Sequence, residues 1–289
     1  MRHQTEDKHD RETVDPAVHL EVEALDWTGE RMVPEACDRD TVLDHVFRYK
    51  FAMPFAENKD VLDIACGEGY GSACLARLGA RSVVGVDIDE EAVAHARRKY
   101  GIEARVGNAD SIPAGDDEFD LIVSFETIEH IADPGGFLDE CVRVCRPGGT
   151  FVVSTPNKAI YLHGADPNDF HLSEMDVGEF LSHLGKRFSS VELYGQCMTG
   201  APVWSLRNCS VATGSPWFKV PGVRRLRSMT QRLLVPEMFA NRHDAGGVDP
   251  IELVRKQSSQ AADFFNPHLV RRVDVEADKP CYLIAVARL

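Results

Sequence analysis

The sequence predicts an α/β fold: a mainly parallel sheet with helices on both faces. Three observations predict it. Between residues 60 and 197, short apolar runs alternate with helical segments of about ten residues, the pattern of βαβ units. The apolar run "VLDIA" feeds directly into "CGEGYGS", so a strand passes through a glycine-rich turn into a helix. The chain ends in "CYLIAVARL", almost unbroken in apolar character, which reads as a central strand buried on both faces.

Residues 1–27 are polar and charged with scattered apolar positions, a tail expected to be disordered or loosely attached. Residues 28–58 form a helical leader. In "DRDTVLDHVFRYKFAMPFA", Val42, Leu43, Val46, Phe47 and Phe51 recur at helical spacing, with Asp40 or Thr41 as N-cap. The core spans 59–199. Its strands are "DVLDIA", "RSVVGVDI", "IEARVGNAD", "FDLIVSFET", "GTFVVSTPN" and "FSSVELYGQC"; "CYLIAVARL", within 276–289, completes a seven-stranded sheet. Helices fall on "YGSACLARLG", "EEAVAHARRKY", "PGGFLDECVRVCR" and "DVGEFLSHLG". The second of these has acids in its first turn and Arg97, Arg98 and Lys99 in its last, the charge order that suits the helix dipole. Residues 200–275, rich in Pro, Gly, Arg and aromatics, read as an inserted cap or lid. No internal repeat is found.

The formal net charge of −14 disfavours a general nucleic-acid binder, because phosphate contacts dominate such affinity. No apolar run approaches the ~20 residues that span a bilayer. The segment "MRHQTEDKHDRETVD" lacks the apolar stretch of a secretory signal. A cytoplasmic location without membrane association is the expectation. The eight cysteines include no C-x-x-C pair, and several sit in apolar runs, so buried free thiols are expected rather than disulfides or a zinc set.

The glycine-rich turn has two readings, a nucleotide site or a plain strand-to-helix turn. Glycine serves both, since it permits a sharp bend and the close approach of a ligand. Two partners favour the nucleotide. Asp87 ends the second strand, 24 residues after Asp63, where an acid hydrogen-bonds a ribose diol. "GNAD" after the third strand supplies Asn108, Ala109 and Asp110 near an adenine edge. The spacing is G-x-G-x-G rather than G-x-G-x-x-G, and no Lys-Ser/Thr follows as in a P-loop. Asp63, leading the loop, would repel pyrophosphate and attract a ligand carrying an ammonium and a sulfonium.

In this order, "VLDIACGEGYGS", "VVGVDID", "GNADSIPAGDDEFDLIVSFETIEHI" and "CRPGGTFVVSTPN" resemble the successive motifs of class I S-adenosylmethionine-dependent methyltransferases. "FETIEHIADPGGFLDECVRVCRPGG" is similar to the ubiquinone-biosynthesis O-methyltransferase type. "TGERMVPE", "HVFRYKFA" and "NDFHLSEM" resemble segments of bacterial glycan and natural-product methyltransferases. The resemblance implies a Rossmann-like, doubly wound fold with S-adenosyl-L-methionine as cofactor. It implies that Asp63, Ala65, Gly67 and Gly69 wrap the methionine moiety, that Asp87 takes the ribose hydroxyls and that Ile88 packs on adenine. Ala109 and Asp110 would reach the adenine, Asp110 its exocyclic amine. Ser124, Phe125 and Glu126 would face the methionine and the substrate pocket. Arg48 or Tyr49 would close over the cofactor carboxylate; helix-surface and core roles are their alternative.

A neutral hydroxyl acceptor needs a proton acceptor, and histidine is matched to that task near neutral pH. His130, in "ETIEHI", follows the fourth strand, and His171, in "NDFHLSE", follows the fifth. Both are candidate bases, with structural roles as the alternative, and His163 is a third choice. No Asp/His set shows metal-ligand spacing, so metal-independent chemistry is expected. "SFET" lacks the Asn/Asp-Pro-Pro-Tyr tetrapeptide of amino-methylating DNA and RNA enzymes, which with the acidic charge counts against a nucleic-acid acceptor. Arg224, Arg225, Arg227 and Arg232 read as a solvated helix face or as a site for an anionic substrate such as a sugar nucleotide. The expected reaction is methyl transfer to a hydroxyl of a small molecule: a sugar, glycan or natural-product intermediate. N-methylation of a similar molecule and a catalytically silent cofactor-binding protein are the alternatives. A homodimer through 200–275 is a further expectation.

Overall fold

Alternating residues of each central strand face opposite sides of one sheet, and both sides are apolar. The computed structural model describes residues 25, 31–37, 39–161, 170–196, 249–252, 270–272 and 280–289. His163, the arginines from 224 to 232, the tail apart from residue 25 and most of the 200–275 insertion lie outside the described residues. The parallel strands are β1 (Asp60–Ile64), β2 (Ser82–Asp87), β3 (Glu103–Val106), β4 (Phe119–Phe125) and β5 (Cys145–Pro156). β8 (Tyr282–Arg288) lies antiparallel between β5 and β6 (Ser190–Gln196), so β6 again runs parallel to β5. The sheet order is β3-β2-β1-β4-β5-β8-β6-β7. β1–β6 and β8 are the seven expected strands. β7 (Val270–Arg271) adds a two-residue antiparallel edge on β6.

On one face Leu62, Ile64, Val86, Ile122, Phe151 and Leu283 pack against α4 (Pro134–Val144) and α6 (Val177–Gly185) through Phe137, Cys141, Phe180 and Leu184. On the other, Val61, Val83, Leu121, Val123, Val152 and Ile284 pack against α1 (Arg39–Ala56) and α2 (Tyr70–Arg77) through Val42, Val46, Tyr49, Ala73 and Leu75. Two covered faces explain why these strands read as unbroken apolar runs. α1 begins at Arg39, ahead of the expected cap at Asp40 or Thr41. α3 (Glu90–Tyr100) matches its expected span; the Asp89 side chain caps it and Gly101, at φ 67°, ends it.

The amino ends of β1, β4 and β5 are tied together by charge. Arg81 and Arg146 each pair with both Asp60 and Asp120, and Arg81 foremost holds Asp60 well below the usual carboxylate range. The carboxyl ends of the strands are thereby left as the open rim where ligands bind in such sheets. All of the described cysteines but Cys37 are buried. No helix among the described residues is long and apolar enough to cross a membrane.

Candidate functional site

A cavity of about 680 Å³ opens at this rim, within the ~300–1,000 Å³ typical of small-molecule sites. β1 enters it through Ala65, Cys66 and Gly67, β2 through Asp87, and β4 through Phe125 and Glu126. His45 and Tyr49 of α1 and Tyr70 of α2 form one wall. Glu129, His130, His171 and Tyr282 also line the cavity.

The glycine-rich turn is built by three different constraints. Gly67 and Gly69 take φ values of 56° and 95°, in the left-handed region that glycine enters without penalty. Ala65 takes φ 57° without that freedom, and strain of this kind concentrates at ligand sites. Gly71 lies inside α2, where the reason is space: a Cβ there would meet Tyr49 Cζ at 1.9 Å. Gly67 N donates to Asp87 Oδ2 at 2.8 Å and Cys66 N to Val86 O at 3.0 Å, which pins the loop to β2. Glu68 turns inward and is fully buried. It accepts from Tyr100 Oη at 2.6 Å and from Lys99 Nζ at 3.1 Å, so it locks the loop to α3.

Asp63 does not line the cavity. It lies beneath the loop, fully buried, accepting from Ser72 Oγ at 2.6 Å and from Tyr49 Oη at 3.1 Å. Burial, with the Asp87 charge nearby, pushes its carboxyl up to about 7 against the pull of those hydrogen bonds. A raised carboxyl keeps its proton in the folded chain while the unfolded chain loses it near pH 4. Stability is therefore lost as pH rises from about 4 to about 7. Asp63→Asn removes that loss. Urea unfolding is expected to show the variant gaining roughly 2 kcal/mol on wild type between pH 5 and pH 8; an unchanged difference would refute this account of Asp63.

Of the other predicted residues, Ala65, Gly67, Tyr49, Asp87, Phe125, Glu126, His130 and His171 line the cavity. Gly69, Ile88, Asn108, Ala109, Asp110 and Ser124 lie outside its lining. Ile88 is 71% exposed beside Asp87, an apolar platform facing solvent. Asn108 Oδ1 accepts from Asp110 N at 3.1 Å, closing the turn that carries Ala109. Ser124 Oγ is buried without a hydrogen-bond partner. Glu126 takes φ 53° at the β4 tip, and its Oε1 accepts from Ser154 Oγ at 2.6 Å.

Arg48 is set behind the wall rather than in it. It is fully buried, with Nη1 donating to Gln196 Oε1 at 2.8 Å and the guanidinium 4.6 Å over the Tyr282 ring. Nε and Nη2 have no hydrogen-bond partner. Buried unsatisfied donors are costly, and these sit beside the charge of cavity-lining Glu126. The cavity's own lining is what fits the implied cofactor: Asp87 at a strand tip suits a ribose diol, and Gly67, with no side chain, lets a ligand approach the backbone.

His130 and His171 are 41 positions apart in sequence, yet their ring centroids are 4.9 Å apart. Leu172 N and Ser173 N both donate to Glu129 O at 2.8 Å, and Ser173 Oγ donates to Ile131 O at 2.7 Å. These bonds stitch the 170–173 segment to the 3-10 turn Ile128–His130. His171 Nδ1 lies 2.8 Å from Glu174 Oε1, and His130 Nδ1 lies 3.0 Å from Phe170 O. Both partners accept, so in each neutral ring Nδ1 carries the hydrogen and Nε2 the lone pair. Burial beside Glu126 pushes the Glu129 carboxyl well above its ordinary range. Its Oε1 has no hydrogen-bond partner and lies 4.0 Å from His130 Nε2. Donor atoms of Glu129, His130 and His171 fall within 4.8 Å of one another, a set able to hold a proton or a divalent cation. Spacing along the chain hid this set, because one member comes from a distant loop.

Sequence reasoning also missed Arg31, His45, Tyr70 and Tyr282. His45 carried a signal, lying one helical turn before Tyr49 on the same face of α1. Tyr282 carried none, because only the antiparallel direction of β8 brings its start to the rim.

Residues 62–153 match a family profile described as a methyltransferase domain. A relative from Mycolicibacterium smegmatis, named a probable S-adenosylmethionine-dependent methyltransferase, is 41% identical over 160 residues, 54% of this chain and 62% of its own. A Mycobacterium tuberculosis protein of the same description is 39% identical over 176 residues, 60% of this chain and 62% of its own. A ubiquinone biosynthesis O-methyltransferase from Parvibaculum lavamentivorans is 39% identical over 115 residues, 38% of this chain and 45% of its own. The chain thus spans less than two thirds of the length of these relatives. A possible histamine N-methyltransferase from Thermotoga maritima shares the fold, with a TM-score of 0.54 and 13% identity over 86% of this chain and 93% of its own. Residues 62–153 are thus similar to a methyltransferase domain, and the relatives that match this chain are named as methyltransferases.

Proposed function

We propose that this chain is an S-adenosylmethionine-dependent methyltransferase acting on a hydroxyl of a small molecule: a sugar, glycan or natural-product intermediate. One observation carries the reading. A single cavity joins the Gly67–Asp87 loop to the His130–His171 pair, so donor and acceptor ends share one space. The cofactor, when bound, supplies a methyl group already activated on a sulfonium. Asp87 would accept from the ribose hydroxyls, Ile88 and Asp110 would meet the adenine, and Tyr49, which lines the cavity where Arg48 does not, would face the methionine end. Phe125, Tyr49 and Tyr70 pack edge to face, with centroids 5.0 and 5.5 Å apart, and exclude water from the methionine end. His171 takes the acceptor proton at Nε2 while Glu174 holds its Nδ1–H and balances the imidazolium charge. The protein's work is otherwise positional, since an activated methyl needs mainly alignment with its acceptor.

The convergence of Glu129, His130 and His171 favours a second reading, in which a divalent cation there lowers the acceptor hydroxyl's pKa. One experiment separates the two. S-adenosylhomocysteine is titrated calorimetrically, and turnover is then measured on a panel of sugar nucleotides and phenols with and without EDTA. Binding that weakens at least ~10-fold in Asp87→Ala is expected, the scale of a lost hydrogen bond to a charged group. Turnover indifferent to EDTA supports the histidine base; loss restored by added magnesium or zinc assigns the triad to a metal. A wild-type chain that does not bind S-adenosylhomocysteine defeats the proposal.

A further inference from the structure

We infer that residues 31–37 form a latched strap over the cofactor site, with Arg31 as a positioning residue, and that cofactor exchange requires the strap to lift. The inference rests on the cofactor reading proposed above. Four observations carry it. Arg31 and Met32 line the cavity, and Arg31 Cγ lies 3.5 Å from where a Cβ on Gly67 would stand. The Arg31 stem therefore runs across the face of the glycine loop. Its guanidinium reaches the far side, where Nη2 donates to Asp89 Oδ2 at 2.6 Å, two residues beyond Asp87. Arg31 foremost holds the Asp89 carboxyl below its usual range.

A second latch closes the other end. Glu35 pairs with Lys99 Nζ at 2.7 Å, and the same ammonium lies 3.1 Å from Glu68 Oε2 inside the loop. Both latches land on α3 or its cap, one at each end of the helix. Between them the strap is folded rather than draped: Ala36 N and Cys37 N both donate to Val33 O at 2.9 Å, and Met32 and Val33 are buried. The strap thus covers the groove between the Gly67 turn and the Asp87 tip. Its hold is electrostatic and partly exposed, with side-chain exposures of 15% and 31% at one latch and 21% and 43% at the other. Such pairs are individually weak and salt-sensitive, which suits a part that must open in each turnover.

The test uses the full chain. S-adenosylhomocysteine dissociation is followed by stopped flow in wild type, Arg31→Ala, Arg31→Lys, Glu35→Gln and the Arg31→Ala/Glu35→Gln double variant. Each alanine or glutamine variant is expected to speed release about 2- to 5-fold, the double variant about 10-fold, and Arg31→Lys less than Arg31→Ala. Raising NaCl should speed release from wild type and leave the double variant unmoved. Hydrogen exchange gives a second readout without turnover: the Ala36 and Cys37 amides should exchange faster in Glu35→Gln and slow on adding S-adenosylhomocysteine. Release and exchange unchanged in folded variants would overturn the strap while leaving the cofactor reading intact. Absence of binding in wild type would instead defeat that reading. If Arg31→Ala does not fold, Glu35→Gln, which lies outside the cavity, still decides.

Discussion

His171→Ala is expected to lower turnover at least ~100-fold, the scale of a lost general base, while S-adenosylhomocysteine still binds. Three placements support that size. The ring lines the cavity together with Phe170 and Leu172, which are 59% and 63% exposed. Glu174 fixes the ring through Nδ1, so the lone pair sits on Nε2 before any acceptor arrives. The ring is held against His130 by the backbone bonds to Glu129, so its position costs no rearrangement during the reaction. Glu174→Gln should lower kcat by about 10-fold with KM near wild type, the usual scale for a partner that orients another residue. Gln keeps an acceptor oxygen for Nδ1–H but removes the charge that balances the imidazolium. His130→Ala should behave differently, because it also cuts the tie to Phe170 O and loosens the 170–172 lip. It should raise acceptor KM as well as lower kcat. Near-normal turnover in both single variants, with cofactor binding intact, defeats the base assignment. That result would favour an amino acceptor, which needs less help losing a proton.

The legible parts of this chain are those set by local chemistry. The central strands β1, β2 and β4 announced themselves because two-sided burial demands an unbroken apolar run, whereas β3, an edge strand reading EARV, is largely exposed. α3 was legible to the residue, because its first-turn acids, last-turn bases and terminal Gly101 are local signals. Asp87 was placed correctly at a strand tip, and it lines the cavity. What stayed hidden depends on residues far apart in sequence. Nothing local marks Glu68 as buried, since only α3 supplies the Tyr100 and Lys99 that hold it. Asp63 read as the ligand's own counter-charge, and only α1 supplies the Tyr49 hydroxyl that caps it. The resemblance offers Arg48 or Tyr49 for one role, and helical geometry points such neighbours about 100° apart. Tyr49 consequently reaches the cavity while Arg48 lies behind it against Gln196 and Tyr282.

The third glycine of the loop makes the sharpest test of that long-range packing. Gly71→Ala is expected to destabilise the fold by about 2–4 kcal/mol, although alanine is the better helix former by about 1 kcal/mol. The added methyl would stand 1.9 Å from Tyr49 Cζ and 2.3 Å from its Cε atoms, so the ring must move. It has nowhere cheap to go. Tyr49 is buried, with Tyr70 at 5.5 Å and Phe125 at 5.0 Å edge to face, and its hydroxyl donates to Asp63. Displacing it leaves a buried carboxyl short of a donor, worth roughly 1–3 kcal/mol more. Gly185→Ala is the matched control: it ends α6 with open space around its Cα and should be neutral or mildly stabilising. Tyr49→Ala removes the ring and should itself be destabilising. The double variant Gly71→Ala/Tyr49→Ala should then be no less stable than Tyr49→Ala alone, since the methyl meets empty space. Urea unfolding of the four chains gives the coupling directly. Additive losses would mean that the helix geometry, not the Tyr49 ring, requires glycine at position 71.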